Sequence, residues 1–232
     1  RLGGDLAVRL PRRELGAPLV LHEQRWLPEL APRLPLPIPE PVRVGRPSSS
    51  YPWAWSVVRW VPGTSALASP PDDPFDAARS IGGFLRALHV PAPPDAPPNP
   101  FRGIPLCERD ELTRGWIDQL ADRIDAERVR ACWADHVALP SWDGRALWLH
   151  GDLHPGNVIV RDGRVAAIID FGDITAGDPA TDLGIAWMLL PPAAHPALRT
   201  ASGADEACWR RGRGWALALA VAYLASPWSS PP

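Results

Sequence analysis

Three oxygen-bearing side chains, Asp152, Asn157 and Asp170, are spaced so that one short stretch of chain could gather them. Two apolar runs, 158–160 and 165–169, lie between the last two. They are separated by Asp162 and Gly163, a strong two-residue hairpin signal. If the hairpin closes on that turn, Arg161 faces Arg164 and Asn157 faces Ile168. Asn157 and Asp170 then share the open end, and Asp152 lies on the loop leading into it. A carboxylate that can act as a base, beside an amide oxygen and a second carboxylate that can serve as hard ligands, is the set that magnesium-assisted phosphoryl transfer requires. Singly, each has a plainer explanation: a turn-forming Asp152, a strand-start cap at Asn157, and a strand-end turn at Asp170 with Phe171 and Gly172. Their occurrence together makes Asp152 a candidate base and Asn157 and Asp170 candidate metal ligands.

The elements that must position this set are readable in outline. Residues 5–10 read as a strand stopped by Pro11. Residues 14–30 read as a helix whose true start lies near Pro18, where a missing N–H costs nothing. Residues 34–41 are proline-spaced and extended. Residues 42–44 and 55–61 read as strands, the second rich in β-branched and aromatic side chains, and Pro62 and Gly63 end it. Residues 75–89 form an apolar-striped helix, and the proline-dense stretch 91–100 is a surface loop. Residues 108–136 carry a polar, broken helical pattern. Residues 145–149 are a strand into the 150–157 loop. Asp178 caps a helix with Pro179 in its first position, running to about residue 190, and a last helix covers 203–224.

Composition narrows the class. At 232 residues with 46% apolar side chains, the chain can bury a core as one folding unit. The net charge of −2, with arginines scattered along the chain, leaves no basic footprint for nucleic acid. All 24 cationic side chains are arginine and lysine is absent, which together with 30 prolines reads as a GC-rich coding bias. Three well-separated cysteines (Cys107, Cys132, Cys208) make neither a zinc nor a disulfide pattern and fit a reducing, cytoplasmic setting. No apolar run reaches the roughly 18 residues of a membrane span, and the first residues lack a signal-peptide core. The chain starts without Met, inside a strand pattern, and ends on Ser229, Ser230, Pro231 and Pro232, as a shortened chain would.

The ordered run His150, Gly151, Asp152, Leu153, His154, Pro155, Gly156, Asn157, followed by Ile169, Asp170, Phe171, Gly172, Asp173, resembles the catalytic loop and metal motif of the aminoglycoside phosphotransferase family. The likeness extends through residues 177–183 and, upstream, through 23–27 and 51–63; it is weak over 90–140 and 190–232. The resemblance implies an α+β, protein-kinase-like two-lobe fold, with a small strand-rich N-lobe (1–61) and a larger helical C-lobe (62–232). It implies transfer of the γ-phosphoryl group of ATP or GTP, with Mg2+, to a hydroxyl of an aminoglycoside or another hydroxylated metabolite, an activity associated with antibiotic resistance.

By the same resemblance Asp152 is the base and Asn157 and Asp170 hold the metal. Arg9 stands where the family has a lysine on the nucleotide phosphates, with Glu23 as its partner. The backbone of Arg59, Trp60 and Val61 meets the purine edge. His150 and Asp182 read as structural supports of the loop, Asp178 as a helix cap, and Asp173 as a substrate-side or metal-side carboxylate. The family's glycine-rich phosphate hairpin is expected upstream of Arg1, Gly3 and Gly4 reading as a turn between strands. The small hydroxylated substrate is the one partner implied: no nucleic acid, no membrane, and no assignable oligomeric state.

Two other readings compete. One is a non-catalytic or truncated kinase-like nucleotide-binding module, suggested by Arg9 and the missing hairpin. The other is a metallophosphoesterase, suggested by Gly151, Asp152 and His154 but lacking the flanking motifs such enzymes carry.

Overall fold

A computed structural model describes residues 1–226; the terminal residues 229–232 noted above lie outside the described part. The N-terminal part is a three-stranded antiparallel sheet of β1 (Leu6–Arg9), β2 (Pro41–Gly45) and β3 (Trp55–Arg59), in the order β1-β3-β2. Gly3 and Gly4 form the expected turn ahead of β1, closed by Leu2 N–H donating to the carbonyl of Leu6. Helix α1 (Ala17–Leu30) packs against β2, β3 and the turn at 171–173, and buries Val20, Glu23, Trp26, Leu27 and Leu30, spaced as one stripe of a helix. Pro18 falls in the first turn, where its lack of an N–H costs nothing, and a second proline, Pro28, lies inside the helix near its end. Glu23 is the one charged member of that buried stripe.

The chain then leaves the sheet. β4 (Thr64–Ser65) pairs with β6 (Val158–Arg161), itself the partner of β7 (Arg164–Ile168); β5 (Leu147–Leu149) pairs with β8 (Thr175–Gly177). Helices α2 (Pro74–Leu88), α3 (Asp110–Gln119), α4 (Ala126–Val137), α5 (Ala180–Leu183), α6 (Ile185–Leu189), α7 (His195–Ser202) and α8 (Glu206–Ala225) make up the rest. α2 starts at Asp73, whose carboxylate accepts from the N–H groups of Phe75 and Asp76, and buries Ala78, Ile81, Phe84, Leu85 and Leu88. It packs on α7 and on the hairpin strand β7. A small strand-rich part thus precedes a helical part, the α+β arrangement the sequence implies.

Several boundaries differ from the sequence reading. The helix expected over 178–190 breaks at Gly184 into α5 and α6. The last helix begins at Glu206, because Asp205 caps Cys208 N–H while Gly203 closes a separate α7. β4 and β8 are too short to show a period of two and are held by tertiary pairing alone.

In the hairpin, Asp162 (φ 51°) and Gly163 (φ 70°) both take positive φ, the type I′ turn that matches strand twist. Arg161 pairs with Arg164 as expected. A bulge then shifts the register, so Val160 opposes Val165 but Ile159 opposes Ala167. Asn157 therefore faces Ile169, whose N–H donates to its carbonyl at 2.9 Å, and not Ile168. The extra residue brings Asn157 within one position of Asp170 across the ladder.

A Cβ at residue 163 would need positive φ and would stand 2.0 Å from Asp72 Oδ2. Gly163→Ala should cost roughly 1–3 kcal/mol in denaturant unfolding; an unchanged midpoint would show that this turn does not set the hairpin.

Candidate active site

Asp182 organises the loop that carries Asp152. It is fully buried. Oδ2 accepts from His150 N–H at 2.8 Å and Oδ1 from Gly151 N–H at 2.9 Å; the His89 ring nitrogen lies 3.1 Å from Oδ2. Burial alone would raise its carboxyl, but the hydrogen bond and charge of His89, with His150, hold it below the usual carboxylate range. His150, also fully buried, carries its Nε2 hydrogen toward the carbonyl of Ile169 at 2.9 Å, while Nδ1 accepts from Asp152 N–H at 3.2 Å. One imidazole thereby ties the loop to the end of β7. Gly151 at φ 85° allows the close approach: a Cβ there would meet the Asp173 carbonyl at 2.2 Å. The supporting roles read for His150 and Asp182 are the ones the structure shows.

Asp152 emerges partly exposed from this frame. Its Oδ1 accepts from Arg102 at 3.0 Å and from the Tyr223 hydroxyl at 2.9 Å. The His154 Nε2 is 3.7 Å from Oδ2, too far for a hydrogen bond. Asn157 is buried, and its amide nitrogen donates to the Asp152 carbonyl at 2.9 Å. No described residue donates to its Oδ1.

Asp170, at φ 62° and ψ 66°, is with Asp162 one of two non-glycine residues of positive φ among the described residues, a conformation that concentrates at functional sites. Arg9 of β1 reaches across to it. Its Nη2 bonds Asp170 Oδ1 at 2.8 Å, and its Nε bonds Glu23 Oε2 of α1 at 2.7 Å. Burial would raise Asp170, but Arg9 with His150 and the Gly172 N–H keep it below the ordinary range. Burial lifts Glu23 to about 7, against the pull of Arg9. The guanidinium fork can take two carboxylates at once, which an ammonium could match only as a point charge.

A cavity of ≈ 210 Å³ lies beside this pair, lined by Ala7, Arg9, Val58, Trp60, Ile159 and Asp170 among others. Arg59 and Val61 line it too, so it gathers every residue expected at the nucleotide except Glu23, which sits behind Arg9. Its size is below the roughly 300 Å³ at which whole-ligand pockets begin. It suits a planar base more than a whole nucleotide. Trp60 N–H is spent on the carbonyl of Asp5 at 2.7 Å, whereas Val61 N–H has no described partner. A larger cavity, ≈ 640 Å³, lies between α4 and α8 around Trp187 and Trp209, and none of the candidate residues lines it.

The donor set of Asn157 Oδ1 and the Asp170 carboxylate, one neutral and one charged oxygen group, fits the sparse protein ligation that magnesium takes beside phosphate and water. Among the described residues no group of three or more His, Cys, Asp and Glu is placed to hold a metal ion, so the metallophosphoesterase reading has no dinuclear site to use. Asp173 accepts from Asn99 at 2.8 Å, and Asp178 accepts from Ala180 N–H and is paired bidentately with the buried Arg211. Sequence reasoning missed Arg102 and Tyr223. Arg102 follows an aperiodic proline-rich loop. Tyr223 is one of two tyrosines in the chain, and that scarcity on an apolar helix is the one signal that could have found it.

A model of the APH phosphotransferase enzyme family matches residues 1–215. No curated protein matches the sequence. Solved structures do match in fold. The macrolide 2'-phosphotransferase MphH of Brachybacterium faecium is 22% identical, with 95% of this chain and 77% of that one covered, at a TM-score of 0.65. The GDP complex of aminoglycoside 2'-phosphotransferase-IIIa is 20% identical, over 96% and 79%, at 0.69. A streptomycin–ATP complex of APH(2")-IIa is 15% identical, over 98% and 81%, at 0.65.

Removing the buried hub tests the geometry. Asp182→Asn should cost roughly 3–5 kcal/mol, because it leaves two buried N–H groups and His89 short of an anion. Since the folded-state carboxyl of Asp182 titrates below its unfolded value, its contribution is present above the unfolded value and lost as pH falls through the folded one. The gap between parent and variant in urea should therefore narrow only below about pH 4. An equal gap at pH 3 and pH 7 would mean that the charge is not what holds the loop.

Proposed function

The chain belongs to the APH phosphotransferase enzyme family, and from that premise we propose that it transfers the γ-phosphoryl group of ATP or GTP to a hydroxyl of a small molecule. The observation that carries this reading is the convergence of the loop holding Asp152 and Asn157 with Asp170, which Arg9 links to Glu23 across the two parts of the chain. The acceptor hydroxyl gives its proton to Asp152 Oδ2, its oxygen forms the new bond to the γ-phosphorus, and the bond to the β-phosphate oxygen breaks, releasing the nucleoside diphosphate. Arg9, steadied by Glu23, reaches the α- and β-phosphates, and a purine enters the slot beside Trp60 with its edge at Val61 N–H. A magnesium ion held by Asn157 and Asp170 supplies charge neutralisation at the phosphate oxygens. The boundary between nucleotide lobe and catalytic lobe falls near residue 61, where the chain crosses from β3 to β4.

The fold neighbours include proteins solved with GDP, with ATP and with streptomycin. Aminoglycosides and macrolides are therefore the first acceptors to try, and activity on either would make this a resistance enzyme. Three free cysteines favour a cytoplasmic setting. Among the described residues no helix is long and apolar enough to cross a membrane. Arg9, whose guanidinium is shared between Glu23 and Asp170, favours one alternative, a nucleotide-binding module without turnover.

Two variants test the proposal. Asp152→Asn should leave nucleotide affinity within about twofold while lowering phosphoryl transfer by at least about 100-fold; a rate within about threefold of the parent removes Asp152 from the mechanism. Asp170→Ala should abolish the magnesium-dependent part of nucleotide binding in calorimetry, and Asn157→Ala should weaken it less. Unchanged binding in Asp170→Ala would place the metal elsewhere. Tight nucleotide binding with no transfer to any acceptor or to water would establish the binding-module alternative.

A further inference from the structure

Asp152 has two carboxylate oxygens, and the structure treats them differently. Oδ1 receives both Arg102 Nη2 and the Tyr223 hydroxyl, at 3.0 and 2.9 Å. Among the described residues Oδ2 has only the His154 ring nitrogen near it, at 3.7 Å. His154 Nδ1 accepts from Gly156 N–H, which leaves the ring hydrogen on Nε2. The final torsion of an aspartate is broad and nearly two-fold, so an untethered carboxylate would swing between orientations. Two donors meeting on one oxygen from different directions remove that freedom.

We infer that Arg102 and Tyr223 are positioning residues for Asp152, fixing its carboxylate plane so that Oδ2 is the oxygen offered to the acceptor hydroxyl. The inference rests on the phosphotransferase reading above and adds two residues to it.

Both donors are held where they are by elements far apart in sequence. Arg102 rides on a loop fastened at each neighbour. Phe101 N–H donates to Asn99 Oδ1, whose amide nitrogen donates to Asp173. Gly103 N–H donates to Thr181 Oγ1, and the Gly103 carbonyl accepts from Asp178 N–H. The Phe101 carbonyl accepts from Arg109 at 2.8 Å. Arg109 is 2% exposed, sits between the rings of Trp116 and Trp215, and has no carboxylate within ion-pairing distance among the described residues. Burial, with the charge of Arg102 added, pulls its guanidinium down to about 10. A buried cation repelled by its neighbour is an unfavourable anchor, and its one hydrogen bond to the chain holds the residue before Arg102.

Tyr223 stands near the end of α8, whose terminal turn is tied by Arg123 to the carbonyl of Leu224. Its ring packs at 5.3 Å from that of His154. Burial and the negative charge of Asp152 push the phenol well above its ordinary range. Its hydroxyl therefore stays a donor and does not compete as an acid or base.

The test uses the full chain with Mg-ATP and Mg-GTP, and kanamycin, streptomycin and a macrolide as acceptors, with hydrolysis of the nucleotide by water as the acceptor-free reaction. Tyr223→Phe, which removes only the hydroxyl, should lower kcat about tenfold. Arg102→Met should lower it about 100-fold, the scale of a misplaced reacting group. KM for nucleotide should stay within about twofold in both, and Arg102→Lys, which keeps a donor and the charge, should recover part of the loss. The double variant should lose less than the product of the two single losses, because both act on one oxygen. In an Asp152→Asn background neither substitution should lower the residual rate further, a result that general damage to the fold would not give.

A rise in rate for Tyr223→Phe would show a brake in place of a support and overturn the inference. So would a KM effect with kcat unchanged, or full activity in both single variants. Should Arg102→Met fail to fold, Tyr223→Phe and Arg102→Lys decide the matter. If Asp152→Asn destroys transfer while Tyr223→Phe does not matter, the positioning roles fail and the phosphotransferase reading stands. If the parent shows no transfer and no hydrolysis, the phosphotransferase reading fails and the positioning roles fail with it.

Discussion

A buried carboxylate must collect hydrogen bonds from several sides, and Asp182 meets that demand by taking the N–H groups of His150 and Gly151 and facing the ring of His89. This requirement shapes the site. Three elements that also share the apolar core, the end of α2, the loop after β5 and the helix α5, are drawn to one point. The loop can then leave Asp182 in only one direction, with Asp152 as its next side chain into the cleft. His150 extends the same frame to Ile169, so the loop and the strand end before Asp170 share a common support. The two charged residues proposed for the chemistry are thus set by a third charge, buried behind them, that contacts no part of the cleft.

Charge pairing is consistent across the cleft. Arg9 spans Glu23 and Asp170, and Arg102 pairs with Asp152. Each acidic group proposed to act on nucleotide or acceptor already has an arginine against it. In a chain without lysine that uniformity is forced by composition, yet it has a structural consequence. A guanidinium presents donors in a rigid fork and fixes the orientation of the carboxylates it meets, where an ammonium would leave them free to turn. Arg9 also ties a strand of the N-terminal sheet to the hairpin end of the helical part, so the relative placement of the two parts and the ionic state of Glu23 and Asp170 are one coupled matter.

The sequence determined the core of this arrangement through local rules. The Asp162–Gly163 pair, both residues needing positive φ, placed the turn, and the continuous apolar runs on either side placed the strands around it. The spacing of Trp26, Leu27 and Leu30 marked the packed end of α1, and the Pro18 position marked where that helix could begin, whereas Glu23 came from the family resemblance and its burial from the structure. These are short-range constraints of backbone sterics and side-chain period, and they survive without any knowledge of the rest of the chain. The motif from 150 to 173 carried the family resemblance for the same reason, since its residues act within one loop and one hairpin.

What only the tertiary structure decided are the contacts between segments that carry no mutual signal. The bulge that moves Asn157 opposite Ile169 leaves no trace in composition, because one extra alanine costs a strand little and is fixed by what packs on either face. β4 and β8 exist only by pairing with distant partners. Arg102 and Tyr223 lie 50 and 71 residues from Asp152, on an aperiodic loop and at the end of an apolar helix. Their meeting on one carboxylate oxygen follows from how α8 and the loop around residue 103 dock on the core. Local chemistry fixes which residues could act, but the direction in which a carboxylate faces is set by donors brought from elsewhere, and only packing brings them.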